Sequence, residues 1–156
     1  MQNLHYSMKK MGRGKTEGFR SQRLAVLPPG LRARMVRHPL LCDLLVTDAG
    51  VFPHAEEHRV ERAEGADTHL VLLCLAGRGW VSRARGEPRL VVAGDLVWLP
   101  AGQPHAYGAD QAEPWTIEWA HFTGATAEAW RELLGLEKEG GTRRLGATVA
   151  GRLRLG

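Results

Sequence analysis

Gly94-Asp95-Leu96-Val97-Trp98-Leu99-Pro100-Ala101-Gly102-Gln103-Pro104-His105 is the stretch whose reading decides the fold. Gly94-Asp95 has the chemistry of a tight turn, because glycine tolerates backbone angles that other residues avoid. Four apolar residues follow and read as a buried strand. Pro100 stops the hydrogen-bonded ladder, since it has no N–H to donate. Gly102 permits a sharp re-entry, and His105 is then delivered to the wall or mouth of whatever the strands enclose.

The same rhythm runs outward from this stretch. Strands are expected at 40–47, 57–62, 69–76, 80–85, 89–92, 96–99, 105–108 and 116–122, with Asp48-Ala49-Gly50, Gly77-Arg78-Gly79, Gly86-Glu87-Pro88 and Pro100-Ala101-Gly102 as the breaks. Closely spaced turn signals of this kind mark a β-sandwich or β-barrel. In 116–122 the residues alternate, with Ile117, Trp119 and His121 on one face. One helix is expected. Thr126 caps it, Ala127, Trp130, Leu133 and Leu134 share a face, and Gly135 ends it. Pro28-Pro29-Gly30 reads as a turn. Trp80, Trp98 and Trp130 read as core or dimer packing.

The chain has 156 residues, 44% of them hydrophobic and 24% charged, which suits one globular domain with a core. No run approaches the roughly 18 apolar residues that a membrane helix needs. The basic N-terminus has no apolar stretch after it, so no signal peptide and no membrane partner are expected, and the location expected is the cytoplasm. Cys42 and Cys74 both lie in apolar runs and read as two buried free thiols. The net charge of +4 is unevenly distributed. Residues 1–37 carry nine Lys/Arg against Glu17 alone, residues 38–141 carry eight Lys/Arg against sixteen acids, and residues 142–156 carry four arginines and no acid. An acidic body is a poor surface for a phosphate backbone. The organisation expected is a mobile basic arm over 1–37, a barrel over 38–124, and a helix and tail over 125–156 as a candidate dimerisation region.

The spacing from Gly94 to His105 resembles the second motif of the cupin superfamily, whose fold is an all-β double-stranded β-helix barrel. That resemblance also argues against a metal. In metal-binding cupins an Asn follows the His by four residues, and Ala109 stands there. The Glu position before Gly77 is Leu70, and 62–68 holds no His. One ligand of the usual four remains, whereas a catalytic metal needs about three from the protein. No metal and no other cofactor is expected.

A narrower resemblance rests on five stretches in order: 46–53, 58–62, Leu73-Cys74-Leu75-Ala76-Gly77-Arg78-Gly79-Trp80, 99–110, and Glu113-Pro114-Trp115-Thr116-Ile117-Glu118-Trp119-Ala120-His121-Phe122-Thr123-Gly124. Together they resemble the N-terminal ligand-binding and dimerisation domain of AraC-family transcription regulators, over residues 38 to about 136. The resemblance implies a small effector, a sugar, held inside the barrel. It assigns Arg62 and Tyr107 to the sugar hydroxyls and Trp119 to stacking on the sugar face, with His105 and His121 in the wall. The founding member has His where this chain has Ile117, which points away from arabinose itself. The chemistry is coherent, because an indole covers a C–H face while Arg and Tyr satisfy hydroxyls. Each residue has a plainer alternative: Arg62 in a rim salt bridge, Tyr107 at a strand end, Trp119 in core packing, His105 and His121 as hydrogen-bonded wall. The resemblance further implies a homodimer and no enzymatic activity.

It also implies DNA contact only through helix-turn-helix units that nothing in these residues resembles, so the chain is expected to be a sensing half alone. The competing expectation is a stand-alone cupin enzyme, an isomerase or dioxygenase, built on His54, Glu56, Glu57, His58 and His105.

Overall fold

The computed structural model describes residues 14–84, 86–136 and 141–145. Expectations for residues 1–13, Arg85, 137–140 and 146–156 lie outside the described residues. Among the described residues, ten strands form two antiparallel sheets. They are β1 (Arg23–Val26), β2 (Leu45–Phe52), β3 (Arg59–Arg62), β4 (His69–Ala76), β5 (Arg78–Arg83), β6 (Arg89–Val92), β7 (Asp95–Leu99), β8 (His105–Ala109), β9 (Thr116–Thr123) and β10 (Thr142–Arg144). The larger sheet has the order β1-β2-β9-β4-β7-β10 and the smaller β3-β8-β5-β6. The chain repeatedly changes sheet, at β2–β3, β3–β4, β4–β5, β6–β7, β7–β8 and β8–β9. The result is the all-β barrel that the decisive stretch predicts. Among the described residues, two short helices are appended, α1 (Pro29–Met35) and α2 (Ala127–Leu133).

The decisive stretch behaves as its residues dictate. Gly94 takes a φ of +89° at the turn, and β7 ends at Leu99, directly before Pro100. Val97, Trp98 and Leu99 are all buried. Val97 and Leu99 enter the core between the sheets with Leu70, Leu72, Val91, Trp115 and Ile117. Trp98 faces the opposite way and packs with Phe122, Ala127 and Leu136, which seats α2 on the outside of the larger sheet. Of the apolar face expected on α2, Ala127 and Leu134 pack on the sheet, whereas Trp130 and Leu133 stay 44% and 73% exposed.

Several expectations are corrected. The strand expected at 40–47 begins at Leu45 and runs to Phe52, because Leu40, Cys42 and Leu44 are exposed while Leu45, Thr47 and Phe52 turn inward. Only Cys74 is a buried thiol; Cys42 is exposed. Pro28-Pro29-Gly30 opens a helix rather than a plain turn. Pro29 occupies the first helical turn, where a missing N–H costs nothing.

The largest difference concerns residues 14–37, read from sequence as part of a mobile arm. Lys15 is hydrogen-bonded through its backbone to Glu57 and Arg59, at 2.9 Å each. Phe19 is 8% exposed and packs 4.9 Å from the Phe52 ring and 5.2 Å from the His58 ring. Strand β1 then pairs along β2, from Arg23↔Val51 to Val26↔Asp48. One aromatic anchor and a strand edge outweigh the polar composition around them. Phe19→Ala should therefore lower stability by about 3 kcal/mol, within the range for burying and then deleting an aromatic side chain. Urea unfolding checks this, and a loss below about 0.5 kcal/mol would mean the segment is not docked in solution.

Candidate functional site

A cavity of about 400 Å³ opens between the sheets, lined by Arg62, Tyr107, Trp119 and His121 together with Asp48, His58, Leu70, Leu72 and others. Strand alternation explains how these residues meet. On β9 the odd-numbered Ile117, Trp119 and His121 all face the cavity. On β3, Val60 and Arg62 share the inward face, and Val60 lies opposite Tyr107 on β8. Leu70 and Leu72 of β4 form an apolar back wall. The N-terminal segment supplies the remaining side with Thr16, Glu17, Leu24 and Val26.

Trp119 owes its position to a glycine. It lies opposite Gly50 in the β2–β9 ladder. A Cβ on Gly50 would stand 2.8 Å from the Trp119 ring and 2.8 Å from Leu24, so only glycine lets β1 and the indole approach so closely. Phe52 supports the same ring edge-on, with centroids 5.3 Å apart. The Trp119 Nε1–H is buried and has no hydrogen-bond partner among the described residues.

The titratable groups are tuned by burial. His121 is 7% exposed, and burial holds its imidazole down to about 4, helped by the Arg62 guanidinium and opposed by Asp48. Its Nδ1 lies 2.9 Å from the Thr68 hydroxyl. His58 is also pushed down to about 4, by burial alone. The Trp115 Nε1–H donates to His58 Nδ1 at 3.1 Å, so the neutral ring carries its proton on Nε2. Burial lifts the Tyr107 hydroxyl to about 12, with Arg62 pulling the other way. Near neutral pH both histidines and the tyrosine are uncharged, and Arg62 is the positive side chain among the residues named here.

Four of the five residues singled out from sequence thus share one cavity: Arg62, Tyr107, Trp119 and His121. His105 does not line it. It borders a neighbouring cleft of about 360 Å³, which Arg62 also borders. The His105 ring stacks on Tyr107 at 6.0 Å, and its Nδ1–H donates to the Gln103 carbonyl at 2.9 Å. That leaves Nε2 an unprotonated acceptor, buried and without a partner among the described residues. The salt bridge weighed for Arg62 is not formed with any described residue.

His58 is the residue that sequence reasoning placed in the wrong context. The histidine–carboxylate group considered for an enzyme disperses. His54 and Glu56 pair on the surface at 3.3 Å, Glu57 reaches Lys15 at 4.0 Å, and His58 turns into the core. Positive φ angles at His54 and Glu57, 41° and 59°, make the reversal that separates neighbours in sequence. Among the described residues no His/Cys/Asp/Glu group is arranged to hold a metal ion. None of the described helices is long and apolar enough to cross a membrane.

Comparison with known proteins gives this cavity a context. The MmsAB operon regulatory protein of Pseudomonas aeruginosa is 40% identical over 104 residues, which are 65% of this chain and 34% of that protein. The chain therefore spans about a third of the length of that curated relative. Among solved structures, a cupin-like protein from Thermotoga maritima aligns with 78% of this chain and 93% of its own, at 17% identity and a TM-score of 0.45. Hazelnut (Corylus avellana) vicilin aligns with 74% of this chain and 30% of its own, at 22% identity and a TM-score of 0.43. The family model of the AraC-like ligand binding domain matches residues 49–154, a span that takes in the cavity-lining strands β3, β4, β8 and β9. The chain is a member of the AraC-like ligand binding domain family.

Proposed function

We propose that this chain is the effector-sensing part of a transcription regulator and that its effector is a sugar. One observation carries the reading: Arg62, Tyr107, Trp119 and His121 converge on a cavity whose size suits a small metabolite. The proposed roles follow from their chemistry. The Trp119 indole covers an apolar sugar face. Arg62, Tyr107 and the neutral His121 meet hydroxyls, and His105 backs Tyr107 from the next layer. The segment that contributes Thr16, Glu17, Leu24 and Val26 closes the remaining side, so effector binding and the placement of that segment are coupled. A ligand shifts such an equilibrium only by its differential affinity for the two arrangements. The exposed apolar face of α2, with Trp130 and Leu133, is the proposed contact in a homodimer. Contact with DNA is assigned to a separate helix-turn-helix domain, and the working compartment to the cytoplasm.

Thermal unfolding against pentoses, hexoses and sugar acids tests the reading. A true effector at about 100 times its dissociation constant adds roughly 2.7 kcal/mol, a shift of several degrees for a domain of this size. Trp119→Ala should abolish the shift. No response to any compound, or a full response that survives Trp119→Ala, would overturn the assignment.

A further inference from the structure

The cavity wall holds a guanidinium that no described residue neutralises. Arg62 has no carboxylate within 4.0 Å and no side-chain hydrogen bond among the described residues. Its sequence neighbour Glu61 is exposed, and its side chain lies 3.7 Å from Arg59. The other two acids that line the cavity come from different elements. Asp48 belongs to β2 in the opposite sheet, and Glu17 to the N-terminal segment.

The neighbourhood of Arg62 adds positive potential. Arg62, His105 and Arg83 form one cross-strand row, with Arg62↔His105 in the β3–β8 ladder and Arg83↔His105 in the β8–β5 ladder. Arg83 donates to the Trp98 carbonyl, and to the Gly141 carbonyl at 3.3 Å. Its Nε–H is buried without a described partner, like His105 Nε2. A row of two guanidiniums around a neutral imidazole contains no acid. A half-buried guanidinium with no carboxylate partner gains charge-assisted hydrogen bonds when a ligand carboxylate meets it. Arg62 thus lacks what a ligand in the cavity can bring: a carboxylate for its fork.

We propose that the Arg62 end of the cavity is a carboxylate subsite, so that the effector is a polyhydroxy acid of the sugar-acid class and not a neutral sugar. The inference rests on the cavity being the effector site for a sugar-sized molecule. The planar guanidinium takes both oxygens of a carboxylate in parallel hydrogen bonds, and such charge-assisted bonds are about twice as strong as neutral ones. A neutral sugar offers Arg62 hydroxyls only. The opposite wall, with Trp119 and the apolar Leu70 and Leu72, serves the carbon skeleton.

Matched pairs make the test: arabinose and arabinonate, galactose and galactonate, glucose and gluconate, each titrated into the whole chain at fixed ionic strength with the unfolding midpoint as readout. The expected result is that at least one acid raises the midpoint by several degrees while its neutral partner moves it by less than about one degree. Arg62→Gln should remove the acid response. Arg62→Lys, which keeps the charge and loses the fork, should weaken it. Arg59→Gln should leave it intact, because Arg59 lies over the Trp80 ring at 5.5 Å, outside the residues that line this cavity. A neutral sugar that matches its acid, or an acid response that survives in Arg62→Gln, overturns the carboxylate subsite and leaves the sugar reading standing. If neither series moves the midpoint, both fall.

Discussion

Acidification from pH 7 to pH 4 should cost this protein about 6 kcal/mol of stability, roughly 3 kcal/mol from each of His58 and His121. Both imidazoles are buried, and burial depresses each from 6.5 to about 4. Above 6.5 the ring is neutral in the folded and unfolded chain alike, and stability is at its plateau. Between 6.5 and about 4 the unfolded chain holds a proton that the native site refuses. Each step down in pH then favours unfolding, and the loss is complete once the folded value is passed. His105, also lowered by burial, acts in the same direction. A natural domain has about 5–15 kcal/mol in total, so the transition should be visible as unfolding in mild acid. Urea midpoints at half-unit pH intervals check this. His58→Gln and His121→Gln should each flatten the slope by up to one proton over that window. A stability curve level between pH 6.5 and 4.5 would mean that the two rings are solvated and the cavity is open.

That prediction draws on His58, a residue that shows how far the sequence was legible. The strands with a turn on both sides were readable almost to the residue, as at β4, β6 and β7. There local chemistry and tertiary demand agree: Gly94 needs its positive φ, and Pro100 ends the ladder. The face shared by Ile117, Trp119 and His121 was readable too, since period-2 alternation is the signal of a half-buried strand. His58 was not, because His-Ala-Glu-Glu-His-Arg is polar apart from Ala55, and only the reversal at His54 and Glu57 turns one histidine inward. Strand β1 gave no signal for a related reason. All four of its residues are exposed, and it is a strand only because the edge of β2 offers unpaired backbone groups. The convergence of Arg62 on Tyr107 needed the β3–β8 register, a non-local pairing that spacing along the chain does not specify.

Trp115→Ala should destabilise the fold by about 5 kcal/mol, combining the cavity left by a large aromatic with an orphaned buried acceptor. Trp115 is fully buried and belongs to the inter-sheet core. Its ring lies against Gly79, where an added Cβ would collide with it, so the strand and the indole are fitted to one another. Its Nε1–H is the described partner of His58 Nδ1, and its ring stands 6.5 Å from that of Tyr107. Removal therefore loosens two residues of the cavity wall as well as the core. Trp115→Phe separates the two contributions. It keeps most of the apolar area and loses the hydrogen bond, so its cost should be about 1–3 kcal/mol, with the ligand response reduced but present. Chemical unfolding of both variants at pH 7 gives the ordering. Equal costs would assign the whole effect to the hydrogen bond, and an Ala variant within about 1 kcal/mol of the parent would show that Gly79 and Trp115 do not form the tight contact between the sheets on which the wall of the site depends.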